Sequence, residues 1–190
     1  MNKPDRKVNA IVIGSSTGGL KALEDIFLHV GDQFPPILLV QHISPGFLET
    51  MVNLLKEKTK KNILIAKDGD CLEKGKIYVA PDGFHMGVKK SKLIFISGDE
   101  SENGAKPSIS YLFRTALDVY GKNLIGILLT GMGHDGVVEL KRMKDFGAIT
   151  IVQDKESSVV HGMAGDAILK KAVTYVFTPA QIASWIKFLE

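Results

Sequence analysis

The chain has 190 residues, 45% of them hydrophobic, and 24 Lys and Arg against 21 Asp and Glu leave a net charge of +3. That gives room for one buried core and excludes a disordered, collagenous or disulfide-stapled polypeptide. The small, unclustered charge argues against nucleic acid as a partner. No apolar run approaches the roughly 20 residues of a membrane span, and a single cysteine, Cys71, with no leader-like start points to the cytoplasm.

A polar lead, residues 2–7, precedes an apolar run at 8–13 that ends in a glycine-rich turn, 14–19. Leu20, Leu23, Ile26 and Phe27 follow at helical spacing, so the first unit reads strand, turn, helix. The alternation continues with a strand at 37–41, a helix at 47–58 whose inner face is Phe47, Met51, Leu54 and Leu55, and a strand at 63–66. Residues 76–79, 86–88 and 93–96 are short strand candidates separated by turns instead of helices. They predict a hairpin with Lys89, Lys90, Ser91 and Lys92 at its solvated tip. Residues 97–106, rich in Gly, Asp, Glu, Asn and Ser, read as a long surface loop. Helices at 108–120, 136–146, 165–171 and 179–189 then alternate with strands at 124–130, 148–153 and 174–177. Pro179 stands as first helical residue behind a Thr178 cap. The pattern predicts a three-layer α/β/α, doubly wound, mostly parallel, Rossmann-like sheet with a small antiparallel hairpin.

In such a sheet ligands bind beyond the carboxyl ends of the strands. Three of those ends are chemically rich: Gly14-Ser15-Ser16-Thr17-Gly18-Gly19, Gln41-His42, and Gly131-Met132-Gly133-His134-Asp135-Gly136. Gly14-x-Ser16-x-Gly18 places a hydroxyl on a sharp strand-to-helix turn, where helix N–H groups favour developing negative charge. The same turn is open to reading as an anion cradle or a plain structural turn. It lacks the dinucleotide spacing, and Leu20 stands where a phosphate loop needs lysine.

A serine nucleophile needs a base and a group to orient it. His29 reads as a helix-end surface residue, His85 as a loop histidine near the site, and His134 as diverging from its neighbour Asp135. His161 would complete the chain order of α/β-hydrolases, and His42 is best placed by strand ends. Asp135 alone is equally a cap for the helix after it. No metal-ligand spacing is present.

Together, Ile13-Gly14-Ser15-Ser16-Thr17-Gly18-Gly19, Gln41-His42-Ile43-Ser44-Pro45-Gly46-Phe47, Ala80-Pro81 ahead of His85-Met86, and Leu129-Thr130-Gly131-Met132-Gly133-His134-Asp135-Gly136 resemble the successive motifs of one family. It is the catalytic domain of CheB-type chemotaxis protein-glutamate methylesterases, and the resemblance covers residues 8–190. It implies Ser16 as nucleophile, His42 as general base and then acid, and Asp135 as the carboxylate that orients the imidazole. It also implies Met132 as an oxyanion donor through its N–H, Thr17 as a supporting hydroxyl, and no cofactor. The implied reaction is hydrolysis of glutamate γ-methyl esters on the cytoplasmic helices of chemoreceptors with release of methanol, alongside deamidation of particular glutamines. Two departures stand out. The family's Arg-Pro-Ser-Val-Asp segment, preceded by a histidine, is here Ala105-Lys106-Pro107-Ser108-Ile109-Ser110, and Ala164 replaces a proline. A catalytically silent receptor-docking module is the alternative that the altered loop keeps open, and a nucleotide-binding domain is a third. Members of that family place a phosphorylatable receiver domain before the catalytic unit, whereas the seven residues ahead of Val8 are too few to fold into one, so none is expected in this chain. The expectation is a standalone esterase, controlled in trans by a separate response regulator or constitutively active, or else an excised catalytic fragment.

Overall fold

Strand β1 (Ala10–Ser15) is buried along its whole length because it runs through the middle of a parallel sheet with a helical layer on each face. The computed structural model describes residues 7–189, so the expected polar lead, Lys7 apart, lies outside the described residues. After β1 come α1 (Gly19–His29), β2 (Ile37–Gln41), α2 (Leu48–Thr59), β3 (Asn62–Ile65), β4 (Lys76–Val79), β5 (His85–Val88), β6 (Ile94–Ser97) and α3 (Ile109–Tyr120). The chain continues with β7 (Leu124–Leu128), α4 (Val137–Asp145), β8 (Ile149–Gln153), α5 (Gly162–Leu169), β9 (Tyr175–Phe177) and α6 (Pro179–Lys187). The sheet order is β3-β4-β2-β1-β7-β8-β9, and every pairing in it is parallel.

Alternate residues of each strand feed two cores, as a doubly covered sheet requires. Ile11, Ile13, Leu39 and Ile127 pack with α1, α2 and α6, whereas Val12, Leu38, Val40 and Leu128 pack with α3, α4, α5 and the β5–β6 hairpin. Helix α6 begins as expected. Thr178 Oγ1 accepts from Gln181 N, the Gln181 side chain accepts from Thr178 N, and Pro179 occupies the first turn.

The structure corrects several boundaries. Strand β1 extends to Ser15 instead of ending at Ile13, β7 stops at Leu128, and α5 begins at Gly162, three residues early. Strand β4 joins the large sheet, leaving only β5 and β6 as the antiparallel hairpin, with Lys89 to Lys92 exposed at its tip. Helix α2 buries Leu48, Met51, Val52 and Leu55, a complete i, i+3, i+4, i+7 stripe. Phe47 precedes the first turn and is 60% exposed, and Leu54 is only half-buried, so the inner face is turned from the expected one.

Candidate active site

Parallel pairing puts the carboxyl ends of β2, β1 and β7 side by side at one edge of the sheet. The register Ser15↔Gln41 continues into a hydrogen bond from His42 N to Ser15 O at 2.9 Å, which sets Ser16 and His42 on neighbouring strand ends. On the other flank Ser16 N donates to Thr130 O at 3.1 Å. The turn beyond Ser16 needs glycine. Gly18 has φ +82°, and a Cβ there would stand 2.5 Å from Val159. Gly131 allows a close approach of another kind, since a Cβ on it would lie 2.6 Å from Cβ of Ser16. The loop after β7 is thereby pressed against Ser16.

Gln41 ties these two strand ends together. Its Nε2 donates to Ser16 O at 2.9 Å and to His42 O at 2.8 Å, so a single buried amide spans the turn that carries the hydroxyl and the segment that carries the imidazole.

His42 Nε2 lies 3.1 Å from Asp135 Oδ2, off the ideal hydrogen-bond line, and has no other partner among the described residues. The ring's Nδ1 is therefore the nitrogen left for a hydroxyl. The Ser16 hydroxyl makes no hydrogen bond among the described residues.

Asp135 is 5% exposed and cradled by five groups. Besides His42 these are Ile109 N at 2.7 Å, Ser108 Oγ at 2.9 Å, Ser110 N at 3.0 Å and Asn103 Nδ2 at 3.2 Å. The carboxylate does not cap α4, the helix that follows it. It sits instead at the positive N-terminus of α3, where Ser108 is the cap residue. Burial alone would raise its pKa. The His42 contact and the Ile109 and Ser110 amides outweigh that and hold the carboxyl well below the usual carboxylate range.

Residues 97–106, which the sequence predicts as a surface loop, also deliver Asn103 to this cradle. Glu102 and Ala105 pair across Asn103 and Gly104, both at positive φ, a tight turn of the kind Asn-Gly favours. That dipeptide was the available signal for the turn; its contact with Asp135 was not readable. Arg114 of α3 clamps the loop through two 2.7 Å bonds to Glu102, and Lys106 reaches Gly98 O at 2.8 Å.

The other expected positions are distributed around this centre. Met132 is 71% exposed and its N–H makes no hydrogen bond among the described residues. Thr17 is exposed, with its carbonyl accepting from Thr130 Oγ1 at 2.9 Å. His85 is fully buried, accepting from Ser108 N through Nδ1 at 3.1 Å and facing Glu100 O through Nε2 at 2.9 Å, so it supports the cradle from behind. His134 is exposed where Asp135 is buried, and His29 bonds its own helix through Asp25 O. His161 precedes α5, is bridged to Gly131 in the loop after β7 and packs over Gly165, and among the described residues it is not a partner of Asp135.

The arrangement suits acyl transfer: a hydroxyl just ahead of a helix start, an imidazole on the neighbouring strand end, an anionic carboxylate against the imidazole and an unengaged N–H in the adjoining loop. Comparison with known proteins agrees. The family model described as CheB methylesterase matches residues 11–186. A protein-glutamate methylesterase/protein-glutamine glutaminase 1 of Syntrophus aciditrophicus is 46% identical over 184 residues, covering 96% of this chain and 53% of that protein. A protein of Nitrosospira multiformis named protein-glutamate methylesterase/protein-glutamine glutaminase is 49% identical over 175 residues, 92% of this chain and 49% of that one. The chain thus spans about half the length of these curated relatives. The crystal structure of the Thermotoga maritima CheB methylesterase catalytic domain superposes with a TM-score of 0.92 at 31% identity, over 97% of this chain and 100% of that one.

Proposed function

Because the chain belongs to the CheB methylesterase family, we propose that it is a serine esterase of the cytoplasm that removes γ-methyl groups from glutamates on chemoreceptor helices. Ser16 Oγ attacks the ester carbonyl as His42 Nδ1 takes its proton, and the Met132 N–H receives the oxyanion, a donor worth about 3 kcal/mol of barrier. The tetrahedral adduct collapses when His42 returns the proton to the departing methoxy oxygen, so methanol leaves and the glutamyl group stays esterified to Ser16. Water then adds with His42 as base, and collapse restores Ser16 and frees the glutamate. Asp135, anionic and held from five directions, fixes the imidazole and offsets its transient positive charge. A glutamine side chain in the same position would release ammonia by the same two steps, which is the second activity in the relatives' names. Thr17 borders the hydroxyl as a supporting group. Control in trans by a separate response regulator fits this reading.

The single observation that carries it is the 3.1 Å His42–Asp135 contact on the strand end next to Ser16. Purified protein is expected to release methanol from methylated receptor helices, and the Ser16→Ala variant to release none above background. Equal release by both would overturn the reading. A silent docking module would bind such helices without releasing methanol.

A further inference from the structure

His85 is a buried imidazole that the reaction at Ser16 leaves unused. It opens β5 opposite Ser97 of β6 and is fully buried, with its ring stacked on Tyr111 of α3 at 4.5 Å and 12°. Both of its polar neighbours are backbone groups whose roles are fixed by chemistry. Ser108 N, which can only donate, lies 3.1 Å from Nδ1, and Glu100 O, which can only accept, lies 2.9 Å from Nε2. The ring is therefore neutral, with its proton on Nε2 and the Nδ1 lone pair turned to Ser108.

Ser108 is the point through which that lone pair acts. Its Oγ, Ile109 N and Ser110 N, from three consecutive residues, all donate to Asp135, at 2.9, 2.7 and 3.0 Å. Ser108 Oγ also accepts from Tyr111 N as the cap of α3. Pro107, immediately before it, has no N–H to give. The Ser108 N–H is thus the nearest backbone donor by which this turn can be anchored from behind, and His85 Nδ1 is what holds it. Ile109 N and His42 Nε2 meet on the same carboxylate oxygen, Oδ2. A first turn of α3 displaced at Ser108 would carry that oxygen, and the imidazole against it, out of line with Ser16.

Resting on the esterase reading above, we propose that His85 is a positioning residue for catalysis: its Nδ1 fixes Ser108, the first turn of α3 and so the orientation in which Asp135 presents itself to His42. The two ring nitrogens have unequal tasks. Nδ1 bears on the carboxylate through the fully buried Ser108, whereas Nε2 ties down Glu100, an exposed residue of the 97–106 loop.

The test separates the two nitrogens. His85→Asn places an amide oxygen where Nδ1 stands and keeps an acceptor for Ser108 N. His85→Gln places its amide at the Nε2 position, keeping the Glu100 bond and leaving the Ser108 N–H buried and unpaired. In methanol release from methylated receptor helices, kcat of His85→Gln is expected to fall about a hundredfold, the cost of a misplacement of about 1 Å, with KM unchanged, and His85→Asn to recover most of that loss. Urea melts identify the variants that are folded under assay conditions. Equal kcat in the two folded variants, or a loss that falls on KM, overturns the role while leaving the esterase intact. Nitrogen NMR of histidine-labelled wild-type protein gives a check that needs no variant: His85 should carry its proton on Nε2, and a proton on Nδ1 overturns the role. Failure of wild type on both the methylated helices and p-nitrophenyl acetate overturns the esterase reading, and the role of His85 with it.

Discussion

Replacing Gln41 by leucine removes the amide that holds Ser16 and His42 in one frame while keeping the side chain close in volume. Ser16 O still accepts from Gly19 N at 2.9 Å, but His42 O loses the one donor it has among the described residues. One buried carbonyl left without a partner costs about 1–3 kcal/mol, so the denaturant midpoint should fall by an amount equivalent to about 2 kcal/mol. The catalytic effect should be larger than this stability loss suggests, because a shift of about 1 Å between nucleophile and base costs on the order of a hundredfold. The expected loss lies in kcat, with KM little changed, since Gln41 has no side-chain donor left for substrate once Nε2 is engaged twice. Gln41→Glu is the sharper variant. It keeps the shape but turns a shared donor into an acceptor facing two carbonyl oxygens, so its kcat should fall below that of Gln41→Leu. Methanol release measured at saturating substrate, beside urea melts of each variant, separates the two effects. A Gln41→Glu protein with wild-type kcat would refute the clamp.

Gly131→Ala forces a methyl group to within 2.6 Å of Ser16 Cβ and 2.8 Å of Met163 Sδ. It should lose at least tenfold in turnover and about 1–3 kcal/mol of stability, both read from the same assays. Asp135 sets an acid limit. With its folded pKa held below the unfolded value of about 3.9, its contribution is complete above that pH and is lost as pH falls from there through the folded pKa. Urea midpoints taken from pH 6 to pH 2 should therefore drop more steeply below about pH 4 in wild type than in Asp135→Asn; parallel curves would contradict the cradle's electrostatics.

Much of the edge that carries the chemistry was legible in the sequence because strand ends in a parallel sheet converge wherever their helices lie. The run Ile37–Gln41, apolar and flanked by Pro36 and His42, admits only a buried strand, and it falls where expected. Helix α2 was harder, since Phe47 and Leu48 offer two starting points for the same period, and only packing selects Leu48. Boundaries at β1 and β7 shifted where Ser15 and Thr130 carry polar side chains into or beyond strand ends. The surroundings of Asp135 had no periodic trace. Asn103, Ser108 and Ser110 reach it across 25 to 32 residues of chain, and its capping role passes to α3 instead of the adjacent α4. Gln41 carried a faint signal, a polar side chain closing an otherwise apolar buried strand, but its two hydrogen bonds to Ser16 O and His42 O follow from the tertiary register alone.

On the proposed mechanism His42 activates the hydroxyl of Ser16 and not that of the adjacent buried Ser15. A fluorophosphonate reaction followed by peptide mass mapping tests it directly. The adduct should appear on Ser16 in wild type and in Ser15→Ala, and should vanish in His42→Ala. An adduct on Ser15, or undiminished labelling of Ser16 without His42, would contradict the account.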